Sequence, residues 1–277
     1  MFKHKDPLSV ILWFLVWGAA SITFASLCFL IFHILIHGIP NISLDLFSAK
    51  YNSENVSLFP SIVNTVIILL IALVIAIPFG IGAAIYLTEY AKKTNKLVGV
   101  IRITAETLSG IPSIVYGLFG MIFFVNVCSM GYSLLAGALT LAIMILPLIL
   151  RTTEEALLSV PDSYREGSFG LGAGKVRTVF SIILPSAIPG IMAGIVLAIG
   201  RIVGETAALI YTAGTVADLP KSVFSSGRTL AIHMYQLSRE GLHTDKAYAT
   251  ACILLFVVLL INYLTRKFSK QAEKGKV

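Results

Sequence analysis

The sequence predicts an all-α polytopic membrane protein with six transmembrane helices, and three observations carry that expectation. The chain is 57% hydrophobic and only 13% charged over 277 residues, where soluble domains carry about 25% charged residues. Apolar runs long enough to cross a bilayer core of about 30 Å fall near 8–36, 59–88, 98–127, 132–150, 186–212 and 247–265. Lipid cannot satisfy irregular backbone, so such runs are helices. The basic residues also sort by side. With a cytoplasmic N-terminus, the inner segments hold Lys3, Lys5, Lys92, Lys93, Lys96, Arg102, Arg151, Arg165, Lys175, Arg177, Arg266, Lys267, Lys270, Lys274 and Lys276. The outer segments hold Lys50, Lys221, Arg228, Arg239 and Lys246, while Arg201 lies within a span. Fifteen against five obeys the positive-inside rule. The net charge of +7 is therefore an orientation signal and not a nucleic-acid footprint. Residues 1–277 are expected to form a single transmembrane domain with both termini, and the 152–185 loop, in the cytoplasm.

The first run follows Lys3 and Lys5 and superficially resembles a signal peptide. At about 28 residues it exceeds the 7–15 of a secretory apolar region, so a retained helix is expected. His33 and His37 share a face near its outer end, but without a third ligand in view no metal site is expected. Breakers interrupt the next spans: Pro78-Phe-Gly-Ile-Gly82, Gly110-Ile-Pro112 and Pro147. They persist where neighbouring helices or a watery cavity satisfy the freed backbone groups. Ordinary packing explains them, and so does pathway lining; Ser109 and Ser113 beside the second break are the candidate pathway residues. Cys28, Cys128 and Cys252 fall in or at the ends of three different spans with no C-x-x-C pair, so neither a disulfide framework nor a zinc site follows.

The 152–185 loop is polar and Gly-punctuated. Ser163-Tyr-Arg-Glu166 has the spacing of a capping box, predicting a short helix with Tyr164, Ser168 and Leu171 on one face and Gly172 at its end. A second amphipathic stretch from Lys175 to Leu184 follows, and Pro185 marks the start of the fifth span. A solvated connector would account for the capping box alone. Gly170-Leu-Gly-Ala-Gly-Lys175 imitates a phosphate-binding loop, but a Walker A motif would need glycine where Phe169 stands and a hydroxyl where Val176 stands.

In the fifth span Arg201 and Glu205 lie four residues apart, predicting one helix face. A charge inside the membrane costs at least a few kcal/mol and usually faces a cavity and a partner. A self-neutralising ion pair is one reading. The order Arg before Glu is the weaker one for such a pair, which favours a working role. At about 1.5 Å per residue, Arg201 stands about 24 Å beyond Pro185. Its planar fork suits an oxyanion, and Glu205 would keep the grip from becoming too tight. Outside, in the long 213–245 loop, Leu230, Met234 and Leu237 recur at helical spacing and predict a short interfacial helix.

Glu166, Gly167, Ser168, Gly172, Ile182, Leu184 and Pro185 together resemble the EAA loop of binding-protein-dependent ABC importer permeases, with its two usual alanines replaced by Gly167 and Ser168. Three further segments are similar to the phosphate-importer permeases of the PstA type: Ala198-Ile-Gly-Arg201-Ile-Val-Gly-Glu205-Thr-Ala-Ala208, Gly110-Ile-Pro-Ser-Ile-Val-Tyr-Gly117 and Thr229-Leu-Ala-Ile-His-Met-Tyr-Gln-Leu237. The resemblance covers nearly the whole chain. It implies the MetI-like ABC importer permease fold in a bacterial cytoplasmic (inner) membrane, with the loop's helix seated in a groove of an ATPase. The implied partners are a homologous permease (PstC-like), an ATPase subunit dimer (PstB-like), an external phosphate-binding protein (PstS-like) and inorganic phosphate. The outer 213–245 loop would lie where the binding protein docks. ATP belongs to the partner subunit, and no cofactor is expected on this chain. One Arg and Glu pair does not by itself separate phosphate from phosphonate, sulfate or molybdate. An ion-coupled secondary transporter would show inverted repeats and leave the 166–185 pattern without a purpose. An intramembrane enzyme finds no support, since neither H-E-x-x-H nor G-x-S-x-G occurs.

Overall fold

The structure, a computed structural model, describes residues 7–92 and 95–274. Of the basic residues assigned to sides above, Lys3, Lys5, Lys93 and Lys276 lie outside the described residues. The chain runs through α1 (Pro7–Gly38), α2 (Phe59–Ile85, extended by a π turn Tyr86–Tyr90), α3 (Lys96–Ser109), α4 (Ser113–Gly120, extended by a π turn Met121–Val127) and α5 (Leu134–Leu158). It continues with α6 (Asp162–Gly170), α7 (Lys175–Thr178), a π turn Val179–Ile183, α8 (Leu184–Val203), α9 (Ala207–Ile210), α10 (Leu230–Glu240) and α11 (Thr244–Lys274). No strand occurs among the described residues. Five helices are long and apolar enough to cross a bilayer, or six when the bent pair α3–α4 counts as one span.

Three spans differ from their predicted form. The third, expected as one helix over 98–127, is two helices meeting at 101°. Pro112 cannot continue α3, and with Gly110 it breaks the run where the sequence placed its breaker. The fourth, expected to end at 150, stays helical to Leu158. Its extra turns carry Arg151, Glu154 and Glu155, which remain helical because α3 supplies partners: Arg102 meets Glu154 at 2.5 Å and Arg151 reaches Glu106 at 3.8 Å. The fifth, expected over 186–212, forms part of a run from Lys175 to Val203 and then breaks at Gly204. Pro185 stands inside that run, directly after the π turn Val179–Ile183, so it is not the point where the span begins.

The core lies between α2, α5 and α8. Ile68, Ala72 and Ala76 of α2 pack with Leu141, Met144, Ile145 and Ile149 of α5, and Ala198 and Ile202 of α8 complete the cluster. In lipid the gain comes from close van der Waals packing rather than escape from water, which is why alanine recurs at these seams. Helix starts are capped by side chains: Asn95 Oδ1 accepts from Leu97 N at 3.0 Å and Ser133 Oγ from Ala136 N at 3.2 Å. By contrast α1 is apolar on every side and packs along α11, leaving most of its surface exposed. At that seam Cys252 Sγ donates to Ile34 O at 3.2 Å, and the rings of His33 and His37 sit 4.2 Å apart beside Tyr248. The apolar positions of α10 face protein: Leu230 and Leu237 are buried against residues of the 44–58 segment and α11, and Met234 is half-buried.

Candidate functional site

The residues singled out in the sequence fall into two regions. In the first, α6 begins directly after Pro161, two residues earlier than the capping box requires. Ser163 therefore lies inside the first turn, no side chain caps the helix, and the expected Ser163–Glu166 box does not form. Asp162 occupies the first turn instead, where its charge favours the positive end of the helix. The far end is as the sequence predicts. Gly172 adopts φ +81°, its N–H donates to Phe169 O at 2.9 Å, and Ala173 N–H donates to Ser168 O at 3.1 Å. This is a Schellman closure, and a side chain at the left-handed position would be strained.

Tyr164, Ser168 and Leu171 do not form a uniformly buried face. Ser168 is buried and its hydroxyl lies 2.8 Å from that of Thr178, tying α6 to α7, whereas Tyr164 and Leu171 are exposed. Glu166 and Gly167 are exposed as well. Ile182 and Leu184 pack against the main core from the continuous α7–α8 run. Lys175 sits over the ring of Tyr90 at 5.2 Å, so the returning arm of the loop touches the end of α2.

Sequence reasoning missed the most heavily bonded side chain of this region. Arg165 donates from Nε and Nη2 to Glu89 Oε1 at 3.2 and 2.7 Å. Its Nη1 reaches Asp162 Oδ1 at 3.1 Å and Val160 O at 2.9 Å, and Nη2 reaches Leu157 O at 3.0 Å. The bond to Glu89 foremost raises the pKa of the guanidinium above its ordinary value, against the cost of burial. No local signal could have found the pair, because Glu89 stands 76 residues earlier in the chain.

The second region lies within the membrane. Across the α3–α4 bend Tyr116 Oη donates to Leu108 O at 2.8 Å. A Cβ at Gly117 would stand 2.7 Å from Ala208 Cα, so α4 touches α9 backbone to backbone. Arg201, half-buried in the last turn of α8, makes no ion pair among the described residues. Glu205 is buried, but not on a helix face shared with Arg201. The helix ends at Gly204, Glu205 N–H donates to Ile202 O at 3.2 Å, and Glu205 Oε1 accepts from Ala208 N at 3.1 Å. Glycine is the weakest helix former after proline, and the carboxylate is drawn to the amides opening α9 rather than back to Arg201.

The structure thus brings Arg201, Glu205 and the helix opened by Ser113 together around the break in the fifth span. Ser109 ends α3 on the other side of the α3–α4 bend, its hydroxyl donating to Glu106 O at 2.7 Å. Among the described residues no three metal-ligating groups converge. What the arrangement offers chemically is an uncompensated, half-buried guanidinium between two interrupted helices.

Comparison with known proteins gives a consistent result. Residues 76–273 match the family model described as binding-protein-dependent transport system inner membrane component. The chain is 35% identical over 265 residues to the probable ABC transporter permease protein YqgI of Bacillus subtilis (strain 168), covering 89% of this chain and 90% of that protein. It is 34% identical to the phosphate transport system permease protein PstA of Pasteurella multocida (strain Pm70), covering 98% and 97%. Among solved structures, a bacterial ABC transporter involved in the import of the acidic polysaccharide alginate superposes with a TM-score of 0.61 at 17% identity, over 92% of this chain and 98% of that one. The inward-facing MetNI methionine ABC transporter superposes at 0.60 and 19%, over 87% and 97%.

Proposed function

Because the chain belongs to the family of binding-protein-dependent transport system inner membrane components, and is thus an ABC importer permease subunit that works with an ATPase and a substrate-binding protein, we propose that its cargo is inorganic phosphate. The observation that carries this reading is the lone guanidinium of Arg201 at the break between α8 and α9, a fixed positive charge suited to a tetrahedral oxyanion. Relatives named as phosphate permeases at 34% and 35% identity support it. Arg201 contacts the anion in transit, Glu205 shapes the break and limits the grip, and Ser113 and Ser109 flank the opposing bend.

The work arrives from a PstB-like ATPase dimer through Glu166, Gly167, Ser168, Gly172, Ile182, Leu184 and Pro185. A PstC-like permease forms the other half of the pathway and a PstS-like protein delivers phosphate outside. The exposed α6 face, with Tyr164 and Glu166 open to solvent and the helix closed at Gly172, supports this assignment. The membrane is a bacterial cytoplasmic one, with both termini and the 152–185 loop inside.

Radiolabelled phosphate uptake into proteoliposomes holding the complete complex tests the proposal. Uptake should require ATP on the loop side and resist competition by sulfate, molybdate and phosphonate. Preferential competition by one of those anions would reassign the cargo, and uptake driven by an ion gradient without ATP would overturn the mechanism.

A further inference from the structure

We propose that Arg165 and Glu89 form the joint through which motion of the coupling loop enters the membrane bundle, an inference that rests on reading 166–185 as the ATPase-docking element. The nine-residue α6 is largely exposed and buries only Ser168, so apolar packing cannot fasten it to the spans. Its attachment is polar and concentrated in one side chain. Arg165 engages Glu89 on the π turn closing α2, and the carbonyls of Leu157 and Val160 at the end of α5. One guanidinium therefore grips the ends of the two helices that form the principal seam of the core.

The pair is unlike a surface salt bridge. Its side chains are 17% and 9% exposed, whereas Asp162, the other acid on Arg165, is 87% exposed. Exposed pairs contribute little, but separating a sheltered pair leaves a desolvated carboxylate without a partner. A joint of this kind yields less readily than the solvated connector around it. Two further contacts close the unit: the Ser168–Thr178 hydroxyl pair joins α6 to α7, and Lys175 lies over Tyr90, next to Glu89. A displacement of α6 must then carry the ends of α2 and α5 and the start of the α7–α8 run with it. Arg165 and Glu89 are positioning residues in this scheme, touching neither cargo nor nucleotide.

The test uses the full complex in proteoliposomes and measures phosphate uptake and ATP hydrolysis on the same sample. Glu89→Ala should lower phosphate moved per ATP hydrolysed about tenfold, within the usual range of coupling factors, with hydrolysis and assembled complex near wild type. Glu89→Gln, which keeps an acceptor oxygen at the same reach, should recover most of the ratio. Arg165→Lys, which cannot serve four acceptors, should lower it in turn and provides the reading if Glu89→Ala assembles poorly. A wild-type ratio in Glu89→Ala or Arg165→Lys overturns the proposal, as does a parallel loss of uptake, hydrolysis and assembly in every variant, the mark of mere structural support. If the wild-type complex carries another anion, the phosphate reading fails alone and the same ratio is taken with that cargo.

Discussion

Arg201 and Glu205, four residues apart, act on different partners, and their variants should separate accordingly. On the proposed reading Arg201→Gln removes the charge that forks onto the oxyanion, and uptake should fall at least a hundredfold in vesicles whose complex assembles normally. Glu205→Gln keeps an oxygen for Ala208 N–H while deleting the negative charge. Phosphate should then be held more tightly and released more slowly, seen as a few-fold drop in both apparent KM and maximal rate. In α10 His233 offers a pH-dependent measurement. Burial first, and the nearby Arg228 charge second, lower its pKa from 6.5 to about 3. Between those values the unfolded imidazole binds more protons than the folded one, so stability rises with pH by up to about 1.4 kcal/mol per unit in that window. Amide exchange in α10, corrected for intrinsic rates, should be faster at pH 5 than at pH 7, and His233→Gln should flatten the difference.

Helix ends decide how the elements behave. Gly172→Val forces a β-branched residue to φ +81°, at a cost of about 1–2 kcal/mol. The closure of α6 should loosen and ATP-driven uptake should be lost while the spans remain inserted, as read by protease protection. Gly117→Leu pushes α4 away from Ala208 and should destabilise the break in the fifth span by about 1–3 kcal/mol, visible as a lowered unfolding temperature in detergent. The spans themselves were legible because lipid tolerates only long apolar helices, and the third span bends where Gly110 and Pro112 stand, whereas Pro78 and Pro147, breakers on the same grounds, lie inside continuous α2 and α5. Ends set by distant partners were not legible. Charges at Arg151, Glu154 and Glu155 look like the start of a loop, yet α3 pairs Glu154 with Arg102 and Arg151 with Glu106, and Glu155 pairs with Arg151 within α5. Ser163 and Glu166 have the right spacing for a cap that Pro161 pre-empts. The apolar side of α10 implies a membrane surface, yet Leu230 and Leu237 are covered by protein.

At the scale of the molecule, orientation is the first quantity to measure. Leu171 is 90% exposed at the tip of the loop, so Leu171→Cys, with Cys28, Cys128 and Cys252 changed to serine, should react with an impermeant maleimide only when the cytoplasmic face is open. Labelling from outside would invert the topology and the direction of transport. The arrangement of sites was half legible: both candidate regions could be placed along the chain, but the bonds that join the loop to the spans are made by residues far apart in sequence. One further consequence concerns the π turn Val179–Ile183. It lodges a surplus residue in an otherwise unbroken rod, and each residue advances an α-helix by about 100°. Val179 can therefore face the core together with Ile191, Ala198 and Ile202, where an uninterrupted α-helical phase would turn it about 120° away. Deleting one residue there would re-clock the 162–178 segment about the α8 axis by roughly 100°, turning α6 away from its seat without altering any side chain of α6 itself.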